Sequence, residues 1–226
     1  MRMKDLARKV IREYNPVAFS TLRRMRKEIR NKNVSFLCPH CLGGILFHDL
    51  GLQFRSPTVN LMLAQPDFVK FVLDLDHYLS LELEFFKDEV YTFPCAKLGD
   101  ITLYFTHYHS EQHAAEKWHE RAKRLDRDNL FVLLLERDGL TEAQIRSLAD
   151  LPVRGLVVFT ANDYPDIPYA LHVPRLVVNG EVEKTLQLSP LTGLRGYEAS
   201  FDFVKWFNES DGKNGFDITP YKKFFL

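Results

Sequence analysis

The sequence predicts an α/β domain: a three-layer, Rossmann-like arrangement in which a mainly parallel sheet carries helices on both faces, preceded by an N-terminal helical arm. Three observations point there. Short apolar runs rich in β-formers alternate with helical patterns, as they do in mainly parallel sheets. The runs at 130–135 and 155–159 are apolar at nearly every position, the mark of strands covered on both faces. At 226 residues and 46% hydrophobic, the chain is long enough for one sizeable core. Residues 34–226 are therefore read as one domain and residues 1–33 as the arm.

In the arm, Met3, Leu6, Ala7, Val10, Ile11 and Tyr14 recur at helical spacing, and a second helix after Asn15-Pro16 aligns Phe19, Leu22, Met25 and Ile29. A strand at 34–37 ends in Cys38-Pro-His-Cys-Leu-Gly-Gly44, followed by a short helix at 45–50. A run at 59–63 leads into a helix opened by Pro66, a residue suited to the first helical position, with Phe68, Phe71, Val72, Leu75 and Tyr78 on one face. Residues 101–105 alternate as a strand ending at Thr106-His-Tyr-His109. Ser110 is the natural N-cap of the next helix, with Ala115, Trp118, Ala122 and Leu125 inward. The 130–135 strand ends at Glu136-Arg-Asp-Gly139, and Thr141 with Gln144 forms a capping box opening a helix to about residue 149. The 155–159 strand ends at Thr160-Ala-Asn-Asp163. Beyond Pro174 the pattern thins to an Asn179-Gly180 hairpin and a helix near 201–207.

The formal net charge of zero hides an asymmetry: residues 1–33 hold eleven Lys or Arg against three acids, and the rest hold nineteen against twenty-seven. The arm is expected to pack on the acidic body of its own or a neighbouring chain. The alternative is attachment to an anionic membrane surface through Arg23, Arg24, Arg26 and Lys27. No nucleic acid is expected as a partner, because no aromatic-basic reading surface accompanies the charge. No apolar run approaches the roughly 20 residues that span a bilayer, and the start lacks the apolar stretch of a signal peptide. A cytoplasmic location follows as an expectation. Three cysteines argue against a disulfide framework.

Ligands of open α/β sheets bind outside the carboxyl ends of the strands. That rule gathers residues 38–44, 106–109, 136–138 and 160–163 on one rim, with thiol, imidazole and carboxylate within reach of one another. Cys38-Pro-His-Cys41 matches the active-site tetrapeptide of thioredoxin-like oxidases, whose chemistry needs a thiolate of depressed pKa. Gly43-Gly44 is poor material for the long helix that motif requires. A zinc site from Cys38, His40, Cys41 and Cys95 lacks a second close ligand pair, so no metal is expected. Read instead as strand, glycine turn and helix start, the segment suits an anion at the helix N-terminus, with Cys41 either beside that anion or packed under the turn. His107 is a candidate general base or a strand-end cap; Trp118 reads first as core, and Arg121 as anion-binding or surface.

Taken together, Cys41-Leu-Gly-Gly44, Ser56-Pro-Thr58, Leu98-Gly-Asp-Ile101, His107-Tyr-x-Ser110, Trp118-x-x-Arg121, Arg137-Asp-Gly139 and Phe159-Thr-Ala161 resemble, in order and spacing, the domain-of-unknown-function family 1919. Members of that family occur in bacterial exopolysaccharide and capsule gene clusters, and the resemblance covers about residues 30–175. The family's first loop reads Ser-Asn-Asn-Cys-x-Gly-Gly; Cys38-Pro39-His40 replaces the first three residues, which favours Cys41 over Cys38. The resemblance implies a place in surface-polysaccharide assembly, with O-acetyl or related acyl transfer to a polysaccharide or lipid-linked precursor. On that reading Cys41 is nucleophile or donor-binding residue, His107 the base, and the N–H groups near Gly43 and Gly44 stabilise an oxyanion. Asp100 or Asp138 orients the imidazole, and Arg121 or Arg137 binds phosphate. Ser56, Trp118 and Thr160 complete the substrate-binding set. The implied cofactor is an acyl donor such as acetyl-CoA. The implied partners are a sugar or lipid-linked saccharide, with peripheral association at the inner membrane or with assembly proteins. A non-catalytic accessory subunit is the alternative from another class. A thiol-disulfide oxidoreductase ranks below it. A glycosyltransferase has only Asp74-Leu-Asp76, inside a helix, to recommend it.

Overall fold

The computed structural model describes residue 12 and residues 14–223. The helical stripe expected over residues 3–14 falls outside the described residues except for Arg12 and Tyr14. Asn15 caps helix α1 (Pro16–Glu28), its Oδ1 accepting from Val17 N and Ala18 N, and β1 (Ser35–Leu37) is buried throughout. Helix α2 (Leu42–Leu50) starts three residues before the expected position and takes in both glycines. It stops at Gly51, whose φ of 68° is the left-handed cap that glycine allows.

The 59–63 run is not a full strand. Asn60 turns the chain at φ 65°, and Met62 alone bridges, antiparallel to Tyr104. The helix expected through Tyr78 is broken at Asp74 (φ −132°, ψ 55°) into α3 (Gln65–Leu73) and α4 (Leu75–Ser80). Next come β2 (Glu84–Phe86), β3 (Cys95–Leu98) and β4 (Ile101–Tyr104), which make a separate antiparallel sheet. The 101–105 strand was expected in the main sheet. The two-residue turn Gly99-Asp100, with Gly99 at φ 60°, instead folds it straight back on β3, a connection that only antiparallel strands can use.

Ser110 caps α5 (Glu111–Ala122) as expected, but its buried positions are Ala114, Trp118 and Arg121; Ala115, Ala122 and Leu125 are only half-buried. Strand β5 (Leu130–Leu135) is followed by α6 (Glu142–Arg146), which carries the Thr141/Gln144 capping box and ends sooner than expected, and then by β6 (Gly155–Thr160). Strand β7 (Ala170–His172) was not anticipated. The hairpin of β8 (Val177–Val178) and β9 (Glu181–Val182) turns at Asn179 and Gly180, both at positive φ. Helices α7 (Gly196–Ser200) and α8 (Phe203–Glu209) follow.

The main sheet is wholly parallel, in the order β1-β5-β6-β7. Alternate side chains of β5 feed two cores. Leu130, Val132 and Leu134 face Phe68, Phe71, Trp118 and Ile145 of α3, α5 and α6, while Phe131, Leu133 and Leu135 face Met25, Phe47 and Trp206 of α1, α2 and α8. Helices thus cover both faces, and each large side chain so buried contributes about 1.5–3 kcal/mol. Helix α1 belongs to this body: Met25 and Ile29 are core residues, and Arg26 Nε donates to Asp49 O at 2.7 Å. Phe19, expected on the apolar side, is 60% exposed, and Leu22 is half-buried.

Candidate active site

Two loops meet at the carboxyl end of β1. In the first, Cys41 is the N-cap of α2 and makes no side-chain cap bond, which leaves its thiol available. Pro39 O accepts from Leu63 N at 2.9 Å, tying this loop to the residues that follow Asn60. In the second, the Met62–Tyr104 bridge pulls the end of β4 towards the parallel sheet, and Tyr108 OH donates to Val59 O at 2.9 Å. These ties bring His107 Nε2 to 3.2 Å from Cys41 Sγ. Cys41 is half-buried and His107 exposed, so the thiol is approached from solvent on the imidazole side.

Burial pushes the Cys41 thiol up, and its own backbone N–H and the Thr106 hydroxyl offset this only in part. The thiol is therefore protonated at neutral pH, and the imidazole beside it is placed to take that proton as the sulfur reacts. Of the two readings left open for Cys41, a thiol beside an anion or one packed under the turn, the half-buried position lies between them. Cys38 is further from reactivity: it is 1% exposed, and burial drives its thiol to about 12. That gives no support to the disulfide-exchange reading, which needs a ready thiolate. Among the described residues, no group of three or more His, Cys, Asp or Glu is placed to hold a metal ion.

A cavity of about 170 Å³ opens beside the thiol, lined by His40, Cys41, Gln65, Arg137 and Asp138 from the strand ends and by Thr185 from the β9 side. The structure thus sets His107 against Cys41 and lines one cavity with Cys41, Arg137 and Asp138, drawing on three of the four expected rim segments. Arg137 Nε and Asp138 Oδ2 pair at 3.1 Å, and Asp138, at φ 53°, donates its N–H to Glu181 Oε1. Neither expected carboxylate is bonded to His107. Asp100 lies on the β3–β4 turn, accepting from Lys70 Nζ and Tyr78 OH at 2.7 Å each, so the orienting role foreseen for it is corrected.

The remaining expected residues do not line this cavity. Ser56, fully buried, shares a hydroxyl contact with Thr58 (3.0 Å), whose Oγ1 accepts from Cys38 N. Trp118 packs on Phe71 and Phe105 in the core. Thr160 is fully buried and its Oγ1 has no partner among the described residues. Arg121 lines a different cavity. Gly43 and Gly44 are packing residues rather than an open turn: a Cβ on Gly43 would sit 3.1 Å from Cys38 Cβ, and one on Gly44 2.6 Å from Asn60 Oδ1. Gly43 N–H is already directed to His40 O at 3.3 Å, which removes it as the expected oxyanion donor.

Two groups named in the sequence take roles it did not assign them. His40 Nδ1 accepts from Leu42 N at 3.2 Å, which assigns the ring proton to Nε2, and that atom is buried without a partner among the described residues. Burial, helped by Arg137, lowers this imidazole to about 4, so it stays neutral. Glu136, at the end of β5, accepts from Ala161 N, Asn162 N, Asn162 Nδ2 and Tyr164 OH at 2.6–2.9 Å. Burial acts to raise its pKa, but these bonds outweigh it and the carboxyl is held below its ordinary value. The signal was a carboxylate closing a strand otherwise wholly apolar.

The model of the family described as a domain of unknown function (DUF1919) matches residues 13–208, a span that includes α1 and both halves of the site. An uncharacterised protein of Haemophilus influenzae is 36% identical to this chain over 188 residues, covering 83% of this chain and 90% of its own length. On both grounds, the chain belongs to the DUF1919 family.

Proposed function

We propose that the protein is an acyltransferase of surface-polysaccharide assembly, moving an acetyl or similar small group to a hydroxyl of a saccharide or lipid-linked saccharide by way of a Cys41 thioester. The observation that carries this reading is the 3.2 Å contact between Cys41 Sγ and His107 Nε2, with Cys41 also lining a small cavity. His107 takes the thiol proton as Sγ attacks the carbonyl carbon of an acyl donor such as acetyl-CoA. The proton then passes to the departing thiolate of the donor, leaving the acyl group on Cys41. In the second half, His107 takes the proton of the sugar hydroxyl as its oxygen attacks the thioester; the ester forms and the proton returns to sulfur.

The cavity, at about 170 Å³, is smaller than the roughly 300–1,000 Å³ typical of whole-ligand pockets. It suits a small acyl group, with the bulk of donor and acceptor outside, where Arg137 offers a cation to phosphate. Work on lipid-linked precursors would place the protein at the cytoplasmic face of the membrane. No helix among the described residues is long and apolar enough to cross one. The test is to express Cys41→Ala and His107→Gln separately in a strain deleted for the gene and to quantify O-acyl groups on the surface polysaccharide. Loss of acylation in both, with normal chain assembly, is expected. Normal acylation in both would show instead an accessory subunit.

A further inference from the structure

A second cavity, of about 340 Å³, lies between residues 52–54 and the C-terminal half of α5, and it shares no lining residue with the cavity beside Cys41. Phe54, Lys117, Glu120, Arg121 and Arg124 line it. Arg121 is 8% exposed and stacks over Phe54 at 5.2 Å. Its Nη1 donates to Val59 O at 2.9 Å and Tyr108 OH at 2.5 Å, and no carboxylate among the described residues pairs with it. Its Nε and Nη2 keep access to solvent, where an anion can replace water as their partner. The remaining N–H groups of Arg121 make no hydrogen bond among the described residues.

The surroundings share that surplus. Among the described residues, Glu120 is the single carboxylate lining the cavity, and it pairs with both Lys117, at 2.5 Å, and Arg124. Arg55 joins from the adjacent loop, its Nη1 on Arg124 O at 3.4 Å and its Nε buried with no partner among the described residues. Three lining cations therefore face one carboxylate, whose pairs with Lys117 and Arg124 are between half-exposed side chains and worth little on their own.

We propose that this cavity is a phosphate-ester site, in which Arg121 is the fixed donor and Lys117 and Arg124 swing from Glu120 onto the ligand. The planar fork of arginine matches phosphate oxygens two at a time, which favours a phosphate over a smaller anion. The site does not depend on Cys41 chemistry and stands or falls separately from it.

The test is calorimetric titration of the full chain, at constant ionic strength, with glucose 1-phosphate, inorganic phosphate and glucose. Alongside it runs flotation with phosphatidylcholine vesicles with and without phosphatidylglycerol. Saturable binding of the two phosphates and none of glucose is expected. Arg124→Gln should weaken it about tenfold, the loss of one charge-assisted contact. Glu120→Gln should tighten it, because the competing carboxylate is gone. Both changes are on half-exposed side chains, so they report on the site even if Arg121→Gln proves unstable. Phosphatidylglycerol-dependent vesicle binding with the same response to Arg124 and Glu120 would identify the phosphate as that of a lipid. The proposal is overturned if neither phosphate source binds saturably, if glucose competes as well as its phosphate, or if binding is indifferent to both substitutions.

Discussion

Cys41 and His107 stand 66 residues apart in the chain, on loops that follow strands of different sheets, yet Sγ and Nε2 are 3.2 Å from each other. One of the ties behind the contact is the antiparallel bridge of Met62 to Tyr104, with its two backbone hydrogen bonds of 2.8 and 2.9 Å. That bridge joins a loop of the parallel sheet to the last strand of the antiparallel one. A thiol that burial keeps protonated and an imidazole within proton-transfer distance form a nucleophile activated only as it reacts.

This arrangement predicts how the cysteines label. With iodoacetamide, the native protein should react at Cys41 alone, since Cys38 and Cys95 are buried and burial raises both thiols. In a Cys38→Ser, Cys95→Ser background, the rate at Cys41 should climb with a midpoint above the ordinary thiol value of about 8.5. A midpoint well below that value would mean a standing thiolate and would refute activation on demand.

The neutral His40 predicts a pH dependence of stability. Its folded pKa, near 4, lies below the value of about 6.5 it has when unfolded, so between these limits the unfolded chain binds a proton that the folded chain does not. The contribution is intact above about 6.5 and is lost as pH falls towards 4, at up to about 1.4 kcal/mol per unit. Urea unfolding at pH 7 and pH 5 should show a larger acid loss in the native protein than in His40→Asn, whose amide can still accept from Leu42 N. Equal losses would show that His40 is protonated in the folded state.

A buried ionic cluster fixes the chain just before α1. Arg12 donates to both oxygens of Glu198 at 2.7 Å and to Asp49 at 2.8 Å, and Arg195 and Tyr197 close around Asp49. Glu198 and Asp49 are 2% and 5% exposed. Arg12→Met should therefore cost about 3–5 kcal/mol in chemical denaturation, because it leaves buried carboxylates short of a partner. A loss under about 1 kcal/mol would mean that Arg195 alone satisfies them.

The elements that depend on local chemistry were legible in the residues themselves: the caps Asn15, Ser110 and Thr141, the Asn179-Gly180 turn and the apolar strands β5 and β6. Each is decided by groups within a few positions, so spacing and residue type suffice. The candidate thiol and imidazole were legible as residue types on loops at strand ends. Their pairing was not, because it needs β4 to leave the main sheet and Met62 to bridge back, and nothing local states which sheet a strand joins. Gly43 and Gly44 misled for the same reason. Their small size answers Cys38 and Asn60 across the fold, whereas the pattern alone suggested an open turn. Arg121 and His40 show it most directly: a charge left without a counter-ion and a ring nitrogen left without a partner exist only once the chain has folded around them. Spacing and residue type marked the capped helices, the apolar strands β5 and β6 and the loops that carry reactive groups. Tertiary packing decided which groups meet, which are neutral and which are left unpaired, since burial and long-range contact set those energies.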